Sequence, residues 1–203
     1  MALPETPAAR HRSVAGAFGG LVAGTEDWSA ATPVDGWTAR DVVGHLVGWF
    51  PGFLAGGGVE LPPGPAVGDD PVAAWQHHAD GVQVLLEERG EESFTHPRAG
   101  THRLADAIDR FYTADVFMHS WDLARATGQD VDLDADFAAA LLDGMREIED
   151  AMRGSGQYGP PVPVPADAPV VDRLMGFIGR DPAWTPLRTA RRRTADRRRD
   201  ATP

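Results

Sequence analysis

Asp115 and His119 stand four residues apart in the stretch ADVFMHSWDLARATG, a spacing that in a helix sets a carboxylate and an imidazole side by side on one face. A residue of the same kind, His45, falls on or beside the apolar face of an earlier helical stretch. Brought together, the three would make a facial His/Asp/His set that binds a divalent cation inside a bundle and leaves positions open for water or substrate. Each also has an ordinary reading. A D-x-x-x-H pair recurs by chance in many helices, Asp115 could pair with Arg110, and a buried histidine is commonly satisfied by a backbone carbonyl or a tyrosine. Asp122, three residues after His119, could bond a ligand imidazole or order metal-bound water, or equally pair with Arg125. Arg125 could attract an anionic thiol or carboxylate, or bridge to Asp122. Trp37, Trp49 and Trp121 lie in or beside these segments and read as core residues before they read as stacking surfaces. His77, His78, His96 and His102 neighbour polar or turn residues and read as solvated.

The elements that must position these groups are legible from apolar periodicity. A first helix is expected over Ala8–Ala23, and a second from Ala39 to about Phe50, opened by the capping box of Thr38 and Asp41. Six glycines and four prolines between 51 and 70 predict a surface loop or lid. Asp70–Pro71 opens a third helix that runs to about Arg89. Residues 91–102 read as irregular. A fourth helix spans Leu104 to about Gly128, a fifth Ala135 to about Arg153, and a short sixth Val170–Ile178. Tyr158–Pro169 is proline-rich and extended. The expected class is all-α, a bundle of four main helices.

Composition narrows the function classes. The 203 residues carry a net charge of −11 and contain no cysteine. No disulfide framework is possible, and the protein supplies no thiol of its own to a reaction. Seven arginines lie in residues 188–203, leaving residues 1–187 with 12 basic and 28 acidic side chains, a net −16. A body that acidic repels phosphate backbones, so nucleic acid is not an expected partner. No stretch approaches the roughly 20 apolar residues of a membrane span, and the N-terminus has no signal-peptide core, so no membrane association and a cytoplasmic location are expected. A chain of this length folds without a metal, so a metal here would serve function.

Three segments carry a resemblance: Gly36–Leu46 (GWTARDVVGHL), Ala114–Gly128 (ADVFMHSWDLARATG) and Tyr158–Pro165 (YGPPVPVP). Together, over roughly residues 8–184, the chain resembles the DinB-like, mycothiol-dependent maleylpyruvate isomerase N-terminal-domain superfamily. The resemblance implies a DinB-like four-helix bundle, here with an extra short C-terminal helix, and His45, Asp115 and His119 as ligands of a divalent metal, zinc or nickel. It also implies a low-molecular-weight thiol, mycothiol or a relative, as cofactor, and often a homodimer. In two respects the chain departs from the isomerase that names the family: Asp115 stands where that enzyme has glutamate, and no second domain with a catalytic arginine fits within this length.

The expectation is therefore a metal- and mycothiol-dependent transferase or isomerase acting on a small electrophile. Residues 1–187 would form the metal-binding bundle, and 188–203 a disordered Arg-rich tail. Two other readings compete. One is a non-enzymatic bundle that binds a small molecule or partner protein; in the other, the tail tethers the chain to an acidic surface.

Overall fold

A computed structural model describes residues 2–154, 156 and 158–186. The expected tail at 188–203 lies outside the described residues. The chain is mostly helical, with one small two-stranded sheet.

Helix α1 spans Pro7–Ala23, α2 Ala39–Gly56 and α3 Pro71–Arg89. Their starts follow local chemistry. The Thr38 hydroxyl accepts from Asp41 N while the Asp41 carboxylate accepts from Thr38 N at 2.8 Å, a reciprocal cap. Asp70 accepts from the amides of Val72 and Ala73 ahead of Pro71. Helix α2 runs past Pro51, where the sequence predicts a loop. Proline forfeits one backbone hydrogen bond, but the turn beyond it carries Leu54, fully buried, and Phe53, which packs on Phe94 and Phe111. Tertiary burial outweighs the local break.

The stretch expected to be irregular forms a hairpin. Strand β1 (Ser93–His96) pairs antiparallel with β2 (Gly100–Arg103), Phe94 opposite His102. Only Phe94 is buried along it, so no alternation marks it in the sequence.

From Leu104 to Thr127 the backbone is helical throughout but not uniform. A four-residue α4 (Leu104–Ala107) passes into a π-helical stretch, Ile108–Thr113, and then into α5 (Ala114–Thr127), closed by Gly128 at φ 68°. Helix α5 is buried nearly all round, and packs against α1 and α2. The expected fifth helix is split: Ile148, at φ −117° and ψ 21°, leaves helical geometry between α6 (Ala135–Glu147) and α7 (Glu149–Gly154). Across the break Met152 is buried while Ile148 is 46% exposed. Helix α8 (Val170–Phe177) packs on α6.

The core gathers Phe18, Leu46, Phe50, Ile108, Leu123 and Leu174 around α5. Tyr112 stacks on Phe50 with ring centroids 4.0 Å apart, and two histidines, His11 and His78, lie against it at 6.1 and 5.4 Å. His78 reads as solvated in the sequence, but the structure corrects this: it is 4% exposed, because α3 turns that face onto Phe50 and Tyr112. Burial, then the charges of His11 and His77, pull its pKa from 6.5 down to about 4. The neutral ring is thus the folded form, and protonation favours the unfolded chain. The His78 contribution to stability is complete above pH 6.5 and is lost as pH falls toward about 4. At about 1.4 kcal/mol per unit this is at most about 3.5 kcal/mol. His11 shifts in the same direction, chiefly through burial. In urea unfolding, His78→Phe is expected to flatten the fall in stability between pH 6.5 and 4; an unchanged slope would refute this assignment.

Candidate metal centre

Two helices each present a pair four residues apart, and the pairs face one another. On α2, His45 and Trp49 both reach a single oxygen of Asp115: His45 Nε2 and the indole Nε1–H of Trp49 each lie 3.0 Å from Oδ2. On α5, the other Asp115 oxygen, Oδ1, lies 3.5 Å from His119 Nε2. His45, Asp115 and His119 can each offer one ligand atom such that all three atoms lie within 4.8 Å of one another. Among the described residues this is the group of histidines and acids close enough to hold a cation.

Burial is graded across the set. The side chains of His45, Asp115 and His119 are 31%, 17% and 6% exposed. Trp37 covers the two imidazoles, its ring stacked on His119 at 5.7 Å and inclined to His45 at 5.1 Å. Burial alone drives the Asp115 carboxyl up, but the His119 imidazole, the bond and charge of His45 and the Trp49 indole together hold it below its ordinary value. The carboxylate is ready to ligate without first losing a proton.

Behind His119 sits Asp122, with no exposed side-chain surface, and its Oδ2 lies 2.9 Å from His119 Nδ1. Arg180, from the segment after α8, completes the Asp122 environment at 3.1 and 3.3 Å. Burial pushes the Asp122 carboxyl up; the His119 bond and the Arg180 charge outweigh it and hold it down. Arg125 is not brought to this group. It lies over the Trp121 ring at 5.1 Å and bonds Pro182 O at 3.4 Å, so the sequence pairing of Asp122 with Arg125 is replaced by Asp122 with Arg180. Arg110 lies over Phe111 and makes no pair with Asp115 among the described contacts.

The donor set suits a divalent cation. Two imidazole nitrogens and a carboxylate oxygen are donors of the kind zinc and similar ions take, and one such atom from each residue lies within 4.8 Å of the others. His119 adds a second observation, because it has a carboxylate against each ring nitrogen. In the neutral tautomer that donates Nδ1–H to Asp122, the Nε2 lone pair points at an anionic oxygen. A cation between them turns that repulsion into coordination, with Asp122 as the outer partner that orients the ring.

Two residues absent from the sequence reading of the site belong to its surroundings. Arg180 is 58 positions from Asp122, too far for any local spacing to link them. Tyr158, in the proline-rich segment, has its phenol raised to about 12 by burial and by the Asp115 charge, with Arg180 acting the other way. Trp49 is partly buried against the core with a satisfied indole, and its acceptor is the candidate ligand itself.

No family model matches the chain, and no solved structure matches it. It is similar to the uncharacterized protein Rv0738 of Mycobacterium tuberculosis strain H37Rv, 32% identical over 180 residues, which covers 86% of this chain and 97% of that protein. The uncharacterized protein MT0763 of strain CDC 1551 matches with the same identity and coverage.

Trp49→Phe keeps an aromatic ring but removes the donor to a half-buried carboxylate. It is expected to lower unfolding free energy by about 2 kcal/mol, more than Trp37→Phe, whose ring stacks on the imidazoles. Equal losses in urea titrations would show that the indole bond contributes nothing.

Proposed function

Since this chain belongs to one family with those two mycobacterial proteins, whose names state no activity, we propose from its own site that it is a metal-dependent transferase or isomerase that uses a low-molecular-weight thiol such as mycothiol. The observation that carries this reading is the convergence of His45, Asp115 and His119 from two helices onto one point, with an outer carboxylate on His119. Such a set holds three positions of a zinc or nickel ion and leaves others for exchangeable ligands. When bound, the cation supplies a Lewis acid that lowers the pKa of a coordinating thiol toward neutrality.

The side chains have separate parts in this proposal. His45 and His119 are ligands through Nε2, and Asp115 is an anionic ligand held in one rotamer by the Trp49 indole. Asp122 keeps Nδ1 of His119 occupied, which directs Nε2 to the cation. Trp37 limits water around the two imidazoles. The thiol comes from outside, in keeping with a chain that has no cysteine. The co-substrate is a small electrophile, attacked at a conjugated carbon for isomerisation or at a carbon bearing a leaving group for transfer. The fold assignment within this proposal is a DinB-like four-helix bundle of α1, α2, α3 and the helical run Leu104–Thr127, with α8 as the extra helix. It is supported by the packing of α1 on α3 and α5 and of α2 on α3 and α5.

Protein purified without chelator and supplied with zinc or nickel is expected to carry about one equivalent of metal, and His45→Ala and His119→Ala to carry little. Absence of metal from the wild type, with no change in melting temperature on supplementation, would favour the non-enzymatic buried polar network. Mycothiol is expected to perturb the visible spectrum of the cobalt-substituted protein; an unmoved spectrum removes the thiol from the proposal.

A further inference from the structure

The buried Asp122 carboxylate is answered from outside its own helix. Arg180 donates from Nε to Oδ1 and from Nη2 to Oδ2, a planar two-point grip, while Nη1 donates to Ile178 O at 3.0 Å. The segment bearing Arg180 is itself tightly held. Gly179 adopts φ +91°, and a Cβ there would lie 3.0 Å from Gly159 Cα and Pro160 O. Both the conformation and the space demand glycine. At Gly176 a Cβ would come within 2.8 Å of Val162 O, whose own amide donates to Gly176 O at 2.8 Å. Arg153 ties the same region from a third side, through Gly159 O at 2.8 Å and Phe177 O at 2.7 Å. The guanidinium therefore arrives at Asp122 in a fixed orientation.

We propose that Arg180 is a positioning residue for the metal centre: by gripping Asp122 it fixes the tautomer and ring orientation of His119, so that the segment after α8 acts as a latch on cation affinity. The physical reason lies in the competition between two acceptors. A neutral imidazole carries one N–H, and it resides on the nitrogen with the better acceptor. Asp122 Oδ2 lies 2.9 Å from Nδ1, while Asp115 Oδ1 lies 3.5 Å from Nε2. As long as both Asp122 oxygens are held in the plane of the guanidinium, the proton belongs on Nδ1 and the Nε2 lone pair faces the other ligands. Without Arg180 the carboxylate is free to rotate about its side-chain torsions, its bond to Nδ1 lengthens, and Asp115 draws the N–H to Nε2. That tautomer has no lone pair to offer a cation.

The inference deepens the metal-centre reading and rests on it, but its test has an arm that needs no metal. Long-range proton–nitrogen NMR of metal-free protein at mildly alkaline pH is expected to show His119 protonated at Nδ1 in the wild type. A mixture of tautomers is expected in Arg180→Gln, and an intermediate state in Arg180→Lys, which keeps the charge without the planar fork. Zinc affinity is expected to fall about 10–100-fold in Arg180→Gln, with partial recovery in Arg180→Lys. Arg10→Gln, which breaks a half-buried ion pair with Asp109 elsewhere in the fold, controls for general loss of stability and is expected to leave tautomer and affinity unchanged. Should Arg180→Gln fail to fold, Arg180→Lys carries the same comparison. A wild type that binds zinc and an Arg180→Gln with unaltered affinity and tautomer would overturn the latch and leave the metal centre standing. A wild type that binds no zinc would overturn the metal centre, and with it the latch on affinity, whatever the tautomer.

Discussion

Two ionised carboxylates ride on one helix that is surrounded by protein, and an uncompensated charge in such a place costs several kcal/mol. Asp115 and Asp122 lie two turns apart along nearly the same face of α5, about 10 Å at 1.5 Å per residue, so one partner cannot serve both. Helix α2 answers the first with an imidazole and an indole, and the segment after α8 answers the second with a guanidinium. His119 stands between the two and touches each. The relative placement of α2, α5 and the C-terminal segment is thus tied to charge compensation as much as to apolar contact. A shift of either neighbour along α5 would strand a negative charge in the core.

The graded exposure of the three candidate ligands gives the site a direction. His45 is the most open and His119 the most enclosed, with Asp122 sealed behind it. The open side of the group is that of His45, while Asp122 and Arg180 close the opposite side. A low local dielectric on that inner side strengthens the hydrogen bonds that orient His119. The solvent-facing end of the cluster and the end that orients the His119 ring are thereby opposite one another.

Helix positions and the candidate ligands were legible in the sequence because both depend on short-range spacing. The Thr38 and Asp70 caps fix the starts of α2 and α3 through neighbours three residues away. The Asp115 and His119 pair is likewise a one-turn relation. What escaped depends on distant partners. Helix α2 continues through Pro51 because Phe53 packs on residues of the hairpin and the π stretch and Leu54 is fully buried. His78 is buried by the packing of α3 on α2, though its sequence neighbours are polar. Arg180 could not be singled out among many arginines, since only the folded chain brings it to Asp122. A neighbouring arginine, Arg125, offered a plausible local partner and obscured the real one.

The π-helical run at Ile108–Thr113 lies directly before the site helix, and its wider turns accommodate about one more residue than an α-helix of equal rise would. Its effect is one of phase. Each residue in an α-helix advances the side-chain direction by roughly 100°, so the extra residue sets which face of α5 meets α2. Were the run to tighten into regular α-helix, α5 could keep its length and its axis yet present a different stripe, with Asp115 and His119 rotated away from His45. The alignment of the two halves of the cluster is therefore stored partly in backbone winding outside it, where no ligand-type residue reveals it.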